Sequence, residues 1–307
     1  MKILITGGTG LVGRNFQDWL STNKPEWQTL SPTRSQANLL DAAHTAAFFA
    51  QHQFDAVVHC AGLVGGIKAN MDNPVGFLSE NLAMGMNVTT AALASGCRKL
   101  INLGSSCVYP AKAPNPIHES SLLQGPLEPT NEGYALAKIS VMKYCQYLSE
   151  QKGLLYKTLI PCNLYGRYGK FEGPSAHMLP AAIAKIFKAK RDGIRQVEIW
   201  GTGKARREFM EVGELSKVIA FCLDNMDSMP LMMNVGPQRD LSILEFYQAI
   251  AQVIGWDGEF AFDLSKPSGM DAKMVDASLL RSWHGPVDFD LRKGIEIAIK
   301  YYEESLL

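Results

Sequence analysis

The chain alternates short apolar runs with longer amphipathic stretches throughout its first half. The short runs are rich in branched apolar residues and predict β-strands. They lie at residues 2–6, 27–30, 55–60, 99–103 and 156–160. Apolar positions at helical spacing predict α-helices at residues 11–21, 42–52, 74–95 and 131–151. Because strands separated by helices join into a parallel sheet through right-handed crossovers, we predict an α/β fold with a Rossmann-type, doubly wound sheet.

The pattern changes after about Pro161, where a glycine-rich loop begins and the elements become shorter. Short strand-like segments follow at residues 197–200, 207–212 and 260–263. We interpret this part as a smaller C-terminal α/β cap over the carboxyl edge of the sheet. The expected division is a main domain at residues 1–163 and a cap domain at residues 164–307, with some cap segments returning to the main sheet.

Composition narrows the classes of partner and compartment. Lys and Arg number 30 and Asp and Glu also number 30, so the formal net charge is zero. This balance gives no sign of a nucleic-acid or membrane-surface partner. No uninterrupted apolar run approaches the roughly 20 residues that span a bilayer. Strand-like sequence from Lys2 onward leaves no room for a cleavable signal peptide, and we expect a cytoplasmic protein.

The cysteines are scattered along the chain without the paired spacing of metal ligands. We therefore expect reduced thiols and no metal site, as is usual in the cytosol. The cysteines are Cys60, Cys97, Cys107, Cys145, Cys162 and Cys222.

A glycine-rich turn follows the first predicted strand. Gly7, Gly10 and Gly13 have the spacing G-x-x-G-x-x-G and open a predicted helix. Glycines at these positions allow a tight turn and close approach of the backbone to a pyrophosphate, which the free N–H groups of the helix start then bind. The strand on one side and the helix on the other favour dinucleotide binding over an ordinary glycine turn.

The end of the second predicted strand bears on the choice of dinucleotide. NAD enzymes usually place a carboxylate there for the ribose 2′-hydroxyl, whereas an arginine accommodates the 2′-phosphate of NADP. The segment here contains Arg34 and has no acidic residue until Asp41. Arg34 therefore predicts NADP(H), and a solvated surface arginine is the alternative.

A hydroxyl, a phenol and an ammonium form the candidate reducing centre. Ser105 follows a buried strand, at the sheet edge where ligands bind. Tyr134 and Lys138 lie four residues apart and share one face of a predicted helix whose expected N-cap is Asn131. A nearby ammonium favours the phenolate, so we expect Lys138 to lower the pKa of Tyr134. An exposed tyrosine with a solvated lysine is the alternative.

These motifs resemble the extended short-chain dehydrogenase/reductase family that acts on nucleotide sugars, and within it the GDP-L-fucose synthase subgroup. Further matching runs follow one order along essentially the whole chain, and LGSSCVYP and QGPLEPTN are specific to the subgroup. The matching runs are residues 64–67, 103–110, 123–132, 161–166, 176–181, 200–203, 207–209 and 234–236.

The resemblance implies an NADPH-dependent enzyme that epimerises C3 and C5 of GDP-4-keto-6-deoxy-D-mannose and reduces its C4 ketone to give GDP-L-fucose. It also implies that Cys107 and His177 are the acid/base pair of the epimerisation. Thiol and imidazole have reference pKa values near 8.5 and 6.5, which suits proton exchange near pH 7. Tyr134 and Ser105 would hold the enolate charge on O4. An inert buried thiol and a backbone-satisfied histidine are the alternatives.

The same resemblance argues against a dehydratase. Sugar 4,6-dehydratases carry an Asp-Glu pair where this chain has Ser106 and Cys107. That difference removes the carboxylate needed to eliminate water.

Binding residues are implied by position in the family. The main domain would hold NADP(H) and the cap the GDP-linked keto-deoxy sugar, the latter through Lys185, Trp200, Arg207 and Lys273. A solvated lysine, a core tryptophan and an arginine in a surface ion pair are the alternatives. The cofactor-binding residues would be Gly7, Thr9, Gly10, Leu11, Val12, Gly13, Arg34, Ala61, Gly62, Leu103, Ser105, Tyr134, Lys138, Pro161, Asn163, Leu164 and His177.

The chain departs from the family pattern at three places. Ser268 stands where the family has an aspartate, and residues 167–171 differ from the usual Pro-His-Asp-Asn-Phe. Thr9 stands where some members carry a basic residue, which weakens the case for NADP. The first two departures leave the sugar open, so a related GDP-4-keto sugar, such as a 3-deoxy sugar or a 6-deoxy-heptose for surface polysaccharide, is the alternative substrate.

A noncatalytic NADP-binding regulator is the alternative from another class of protein. A regulator needs the glycine turn but has no use for Tyr134 and Lys138. A homodimer through the two long helices near residues 74–95 and 131–151 is typical of the family, and we expect one here.

Overall fold

The computed structural model describes residues 1–173, 175–266 and 270–306. In chain order its strands are β1 Lys2–Thr6, β2 Gln28–Leu30, β3 Ala56–His59, β4 Lys99–Leu103, β5 Leu155–Pro161, β6 Asn163–Tyr165, β7 Gln196–Trp200, β8 Arg206–Glu211, β9 Met232–Val235, β10 Asp240–Ser242, β11 Glu259–Asp263 and β12 Ala272–Lys273. Its α-helices are α1 Leu11–Asn23, α2 Ala42–Ala50, α3 Ile67–Asp72, α4 Pro74–Ala94, α5 Glu132–Lys152, α6 Met178–Arg191, α7 Val212–Asp224, α8 Ile243–Ile254, α9 Ser278–Trp283 and α10 Leu291–Glu304.

The main sheet has six strands in the order β2-β1-β3-β4-β5-β9, and every neighbouring pair is parallel. The chain runs from β1 to β2 on one side and then to β3 on the other. This reversal is the switch point at which open α/β sheets bind ligands. The predicted α/β, Rossmann-type fold is confirmed.

Both faces of the main sheet are covered, which explains its nearly continuous apolar strands. Ile3 and Ile5 of β1 pack into one buried cluster with Phe16 of α1. Leu4 points the other way and packs into a second cluster with Val88 of α4. Successive strand residues face opposite sides, so a run that is apolar throughout buries both faces.

The cap has its own small sheets and its own core. Strand β8 pairs with β6, β10 and β12, while β7 pairs in parallel with β11. The cap core joins residues of α6, α8 and α10, including Leu179, Phe246 and Ile295. Strand β9 returns to the main sheet beside β5.

Element boundaries fall close to the predicted ones. Helix α1 continues two residues beyond the predicted end, and the strand predicted at residues 207–212 ends at Glu211, where α7 begins. Within the part of the chain that the structure describes, no helix is long and apolar enough to cross a membrane.

Candidate active site

The glycine turn has the geometry that the sequence predicts. Gly7 has a φ of +69°, and a Cβ placed on it would lie 2.7 Å from the Cα of Ala61. A Cβ on Gly13 would lie 2.5 Å from the carbonyl oxygen of Gly7. Gly10 is the N-cap of α1 and makes no side-chain cap bond. The turn therefore fits a pyrophosphate at the start of α1, against backbone that only glycine leaves open.

Three residues that shape this turn were missed by the sequence analysis. A Cβ on Gly8 would lie 1.7 Å from Oγ of Ser31, which donates a hydrogen bond to the carbonyl of Ile5. Nε2 of Gln17 donates to the carbonyls of Gly8 and Gly13 at 2.8 and 3.0 Å. In the sequence, the pair of adjacent glycines at positions 7 and 8 was the one indication that other residues pack closely against this turn. Thr9, Leu11 and Val12 follow the same turn, with Thr9 exposed at its tip.

Arg34 lies exposed in the loop after β2, four residues beyond the end of that strand. The first acidic residue after the strand, Asp41, accepts a hydrogen bond from the backbone N–H of His44 and caps α2. Because Asp41 caps α2, the end of β2 has no carboxylate of the kind that binds the ribose 2′-hydroxyl of NAD. The surroundings of Arg34 thus fit an anionic 2′-phosphate.

Ala61 and Gly62 follow β3 at the switch point. The backbone N–H of Ala61 faces Oγ1 of Thr6 at 3.3 Å. The next residue in the loop, Leu63, donates its N–H to Oδ1 of Asn81 at 2.9 Å, and Nδ2 of Asn81 donates back to the Leu63 carbonyl at 3.1 Å. Asn81 is a buried polar residue on α4 that the sequence analysis missed. Its place on an otherwise apolar helix face was the available signal.

Ser105 and Tyr134 lie together at the end of β4. The two side chains lie near enough for the Ser105 hydroxyl to influence the Tyr134 phenol, and the Ser105 hydroxyl accepts a hydrogen bond from the backbone N–H of Cys107 at 3.3 Å. Burial raises the pKa of the Tyr134 phenol well above its ordinary value, Cys107 raises it further, and the Ser105 hydroxyl opposes the rise. The expected lowering of the Tyr134 pKa by Lys138 is wrong, because burial of the phenol raises that pKa.

Lys138 is buried one turn along α5 from Tyr134. Its Nζ donates to the carbonyl oxygen of Leu103 at 2.9 Å and lies 5.8 Å from the centre of the Tyr134 ring. Burial lowers the pKa of Lys138 to about 8, against an opposing contribution from Cys60. The ammonium is therefore held at the end of β4, beneath the Ser105–Tyr134 pair.

The Cys107 thiol is half-buried and has two nitrogen donors. Nδ2 of Asn131 lies 3.4 Å from Sγ, and Nζ of Lys273 lies 3.6 Å from Sγ. Asn131 occupies the predicted N-cap position of α5, but its side chain makes no cap bond. The amide is turned toward the thiol instead. These contacts distinguish Cys107 from an inert core cysteine.

His177 occupies the N-cap position of α6 without a side-chain cap bond. Burial lowers the pKa of its imidazole below the ordinary value, and Lys170 lowers it further. The segment just before it meets the main domain, because a Cβ on Gly65 would lie 3.8 Å from the Cα of Ser175. His177 therefore sits half-buried where the cap meets the loop after β3.

Arg207 and Lys273 stand side by side on the parallel strands β8 and β12. Both side chains are half-buried, and burial lowers the pKa of the Arg207 guanidinium, with Asp271 and Glu128 opposing. Lys273 was predicted as a substrate contact. Its ammonium contacts the thiol of Cys107, the residue expected to exchange protons with the sugar, and so links the cap to the main domain.

Glu208 anchors this part of the cap and was also missed by the sequence analysis. It is fully buried on β8. Its carboxylate accepts hydrogen bonds from the backbone N–H groups of Gln238 and Val275 at 2.8 and 2.9 Å. Burial raises the pKa of Glu208 to about 7, while these hydrogen bonds oppose the rise. Glu208 thus fixes the strand that carries Lys273, two residues before Val275.

Lys185 and Trp200 form a separate, exposed part of the cap. Nζ of Lys185 donates to the carbonyl oxygen of Glu198 and lies 5.7 Å from the centre of the Trp200 ring. Trp200 is 47% exposed, which rules out the core position that the sequence left open. Lys266 Nζ lies 5.8 Å from the same ring. An exposed indole between two ammonium groups is suited to a flat ring that carries phosphates.

The remaining predicted cofactor residues lie at the carboxyl end of β5. Pro161 is buried and ends that strand, and Leu164 is half-buried on β6. Nδ2 of Asn163 donates to the backbone carbonyl of Glu208 at 2.9 Å, which ties β6 to β8. Ser268, the departure noted in the lysine-proline loop, lies outside the described residues.

The departure at residues 167–171 has a structural counterpart. Tyr168, with a φ of +67°, lies between the guanidinium groups of Arg14 and Arg167, at 3.9 and 4.7 Å from its ring centre. Its hydroxyl donates to Asp18 of α1 at 2.5 Å. This loop thereby connects the start of the cap to the helix that follows the glycine turn.

Comparison with known proteins places this architecture in a family. The family model described as the NAD dependent epimerase/dehydratase family matches residues 3–236. The chain belongs to this family, as its resemblance to nucleotide-sugar enzymes predicted.

Relatives of similar length carry more specific names. The chain is 44% identical over 303 residues to GDP-L-colitose synthase of Yersinia pseudotuberculosis, with 98% of each chain covered. It is also 44% identical over 301 residues to GDP-L-fucose synthase of Azorhizobium caulinodans, covering 98% of this chain and 96% of the relative. The predicted resemblance to the fucose synthase subgroup is thus confirmed.

Solved structures show the same architecture. A GDP-6-OMe-4-keto-L-xylo-heptose reductase from C. jejuni superposes with a TM-score of 0.93 at 27% identity, covering 99% of this chain and 98% of that one. An NADP-bound GDP-mannoheptose C4 reductase from Campylobacter jejuni superposes with a TM-score of 0.89 at 29% identity, covering 98% of each chain.

Proposed function

We propose that the protein epimerises C3 and C5 of GDP-4-keto-6-deoxy-D-mannose and reduces the C4 ketone with NADPH, giving GDP-L-fucose. The observation that carries the proposal is the Cys107 thiol, which contacts nitrogens of Asn131 and Lys273 and lies near Ser105 and Tyr134. Reduction alone needs the hydroxyl pair, whereas epimerisation also needs a group that exchanges protons with carbon. The fucose synthase relative supports this assignment.

The cofactor in this proposal is NADP(H). Gly7, Gly10 and Gly13 would hold the pyrophosphate at the start of α1, and Arg34 the 2′-phosphate. When bound, the nicotinamide supplies the hydride that reduces C4. The NADP-bound reductase from Campylobacter jejuni supports the choice. The other proposed contacts follow the same turn and the carboxyl ends of β3, β4 and β5: Thr9, Leu11, Val12, Ala61, Gly62, Leu103, Pro161, Asn163 and Leu164.

Epimerisation exploits the acidity of hydrogens next to a ketone. Cys107 or His177 takes the proton, the electrons of the C–H bond move to O4 as an enolate, and the other residue returns a proton on the opposite face. The lowered pKa of His177 leaves its imidazole neutral at pH 7 and able to accept a proton. The hydroxyls of Ser105 and Tyr134 donate hydrogen bonds to the negative O4.

Reduction then uses the same phenol as an acid. The raised pKa of Tyr134 keeps its proton in place at neutral pH, and that proton passes to O4 as C4 becomes an alcohol carbon. Lys138, with a pKa of about 8, is mostly protonated at pH 7 and favours the resulting phenolate. Tyr134 thus serves both half-reactions, first as hydrogen-bond donor and then as proton donor.

Recognition of GDP falls to the cap. Arg207, adjacent to Lys273 in the β8–β12 register, would supply positive charge to a phosphate of GDP. Trp200 offers an exposed aromatic face to a ring, with Lys185 beside it. These residues present cations and an aromatic surface at the same end of the sheet as the reducing centre.

A 3-deoxy GDP-4-keto sugar is the second candidate substrate. The Yersinia relative named GDP-L-colitose synthase is as similar to this chain as the fucose synthase is. Colitose is the 3-deoxy counterpart of fucose, so its formation needs the same C4 reduction. A noncatalytic regulator, by contrast, has no use for a half-buried hydroxyl pair close to a buried lysine.

We also propose a homodimer that packs α4 and α5 against the same helices of a second copy. These helices expose the apolar side chains of Val75, Leu78, Leu136 and Tyr147, which association would bury. Analytical ultracentrifugation tests this proposal. A dimer for the wild type and a monomer for Leu136→Glu support it, and a monomeric wild type contradicts it.

The reaction is tested by adding freshly prepared GDP-4-keto-6-deoxy-D-mannose to the protein with NADPH. We expect NADPH oxidation with GDP-L-fucose identified by NMR as the product. The 3-deoxy sugar is tested in parallel. Turnover of that sugar alone assigns the second candidate, and NADPH binding without reduction of either sugar contradicts both assignments.

A further inference from the structure

Asn131 uses its side chain in an unusual way for a residue at a helix start. It ends the 3-10 turn Pro129–Asn131 and is the N-cap of α5. Its amide makes no cap bond, and Nδ2 instead lies 3.4 Å from Sγ of Cys107. Oδ1 is buried and, among residues 1–173, 175–266 and 270–306, has no hydrogen-bond partner.

Polar N-caps of four other α-helices make the usual cap bond. Asp41, Asn73, Ser242 and Asp290 each accept a backbone N–H in the first turn of their helix. Asn131 forgoes this stabilising bond and also leaves a buried carbonyl oxygen unpaired, which is unfavourable. Unfavourable local arrangements of this kind persist where the surrounding structure demands them, and they concentrate at functional sites.

We propose that Asn131 is a positioning residue for Cys107, turned from its helix to the thiol for the sake of proton exchange. This inference rests on the role proposed above for Cys107. The amide N–H donates to the sulfur and, with Lys273 on the other side, fixes the direction of Sγ beside Tyr134. Donors at the sulfur also stabilise the negative charge that it carries when its proton is on carbon.

The two nitrogen donors differ in what they supply. Lys273 brings a positive charge on a flexible chain from the cap, whereas Asn131 brings a neutral amide fixed at the start of α5. The backbone N–H of Cys107 is held separately by Ser105. Asn131 therefore orients Sγ of Cys107 from within the main domain, and this contact does not depend on the position of the cap.

Two substitutions test this proposal, Asn131→Asp and Asn131→Ser. Both residues are good N-caps, and neither keeps the N–H donor, so we expect the midpoint of thermal unfolding to rise. Deuterium uptake from solvent into the keto sugar, measured by mass spectrometry with NADP⁺ present, should fall roughly 10- to 100-fold. Asp should lower it further than Ser, because a carboxylate repels a thiolate.

The reduction step provides the contrast. NADPH oxidation by both variants should stay within about threefold of wild type, and NMR should show reduced sugar with unepimerised carbons. Asn73→Ser, a like exchange at a cap that does not touch Cys107, should change neither rate. A merely structural role for Asn131 would move stability, exchange and reduction down together, and that result overturns the proposal.

The outcome separates this proposal from the function on which it rests. If wild type exchanges deuterium and Cys107→Ser does not, but both Asn131 variants exchange as fast as wild type, Asn131 is not a positioning residue. If wild type neither exchanges deuterium nor oxidises NADPH with either keto sugar, the proposed function fails and this inference fails with it.

Discussion

The glycine turn at residues 7–13 and the thiol pocket, formed by Cys107 with Ser105, Asn131, Tyr134 and Lys273, bind and react in opposite ways. The turn at residues 7–13 works through backbone N–H groups and empty space, and its glycines lie in one short run of sequence. The thiol pocket works through side chains, and its contact between Cys107 and Lys273 joins residues 166 positions apart. The first depends on local conformation, and the second on how the cap packs against the main domain.

This difference shows where each region is vulnerable. The turn fails when a side chain enters space that only glycine leaves open. The thiol pocket loses activity when a hydrogen-bond donor to Cys107, the acid Tyr134 or the anchoring of β12 by Glu208 is removed, even though the fold survives. Variants that affect one region and spare the other are therefore the sharpest tests of the comparison.

Tyr134→Phe should have the largest effect. Loss of the proton donor should slow NADPH-dependent reduction roughly 10²- to 10⁴-fold, with NADPH affinity unchanged because the glycine turn is untouched. Steady-state kinetics and a fluorescence titration with NADPH measure the two quantities. Tyr144→Phe on the same helix, where the hydroxyl contacts Thr90 at 3.4 Å, is the matched control. Turnover that survives in Tyr134→Phe removes the phenol from the mechanism.

Gly7→Ala should break the other region. Its Cβ would lie 2.7 Å from the backbone of Ala61 at a φ of +69°, so we expect NADPH affinity to fall roughly 10- to 100-fold. Gly96→Ala is the control, because Gly96 has a similar φ of +78° and no atom within 4 Å of its added Cβ. If both variants bind NADPH equally well, close approach at Gly7 does not matter.

Glu208 provides a pH test of how the pocket is anchored. Its folded pKa is raised from 4.5 to about 7, so the folded state binds the extra proton between these values. Protonated Glu208 therefore adds about 3 kcal/mol to the free energy of unfolding below pH 4.5, and this contribution is lost as the pH rises through 7. Urea unfolding at pH 5 and pH 8 should show this loss in wild type.

Glu208→Gln should remove that pH dependence. It should also raise the KM for the GDP-sugar more than the KM for NADPH, because Val275, two residues after Lys273, loses its carboxylate acceptor. An unchanged difference in stability between the two pH values would show that Glu208 does not titrate in this range.

Arg34→Ala should have the smallest effect. Removal of its guanidinium should reduce the preference for NADPH over NADH roughly tenfold by lowering kcat/KM with NADPH. Turnover with NADH serves as the internal control and should not change. An unaltered preference would return Arg34 to the role of a solvated surface arginine.

The parts that the sequence could predict are those that local patterns determine. Strand β1, the glycine turn and α1 were placed within two residues because a buried strand, three spaced glycines and an amphipathic helix adjoin one another. Helix α4 begins at Pro74, as predicted, with a proline in its first turn. The family resemblance extended these local signals along the rest of the chain.

The parts that it could not predict depend on tertiary contacts. Asn131 had the sequence position of a helix cap, but its amide is drawn to Cys107. Lys138 had the spacing to lower the pKa of Tyr134, but burial of the phenol prevails. Asn81 carried no motif, and Glu208 lay in a matching run without an assigned role, because the partners of both are backbone groups of distant segments. The boundary between domains at residue 163 stays a prediction.

The central claim is that Cys107 exchanges protons with carbon while Tyr134 and NADPH carry out the reduction. The most direct test compares deuterium incorporation from D₂O at C3 and C5 of the sugar in wild type and in Cys107→Ser, with NADPH oxidation followed in parallel. We predict that the variant incorporates deuterium roughly 100-fold more slowly and still oxidises NADPH. Deuterium at both carbons as fast as in wild type would contradict the claim.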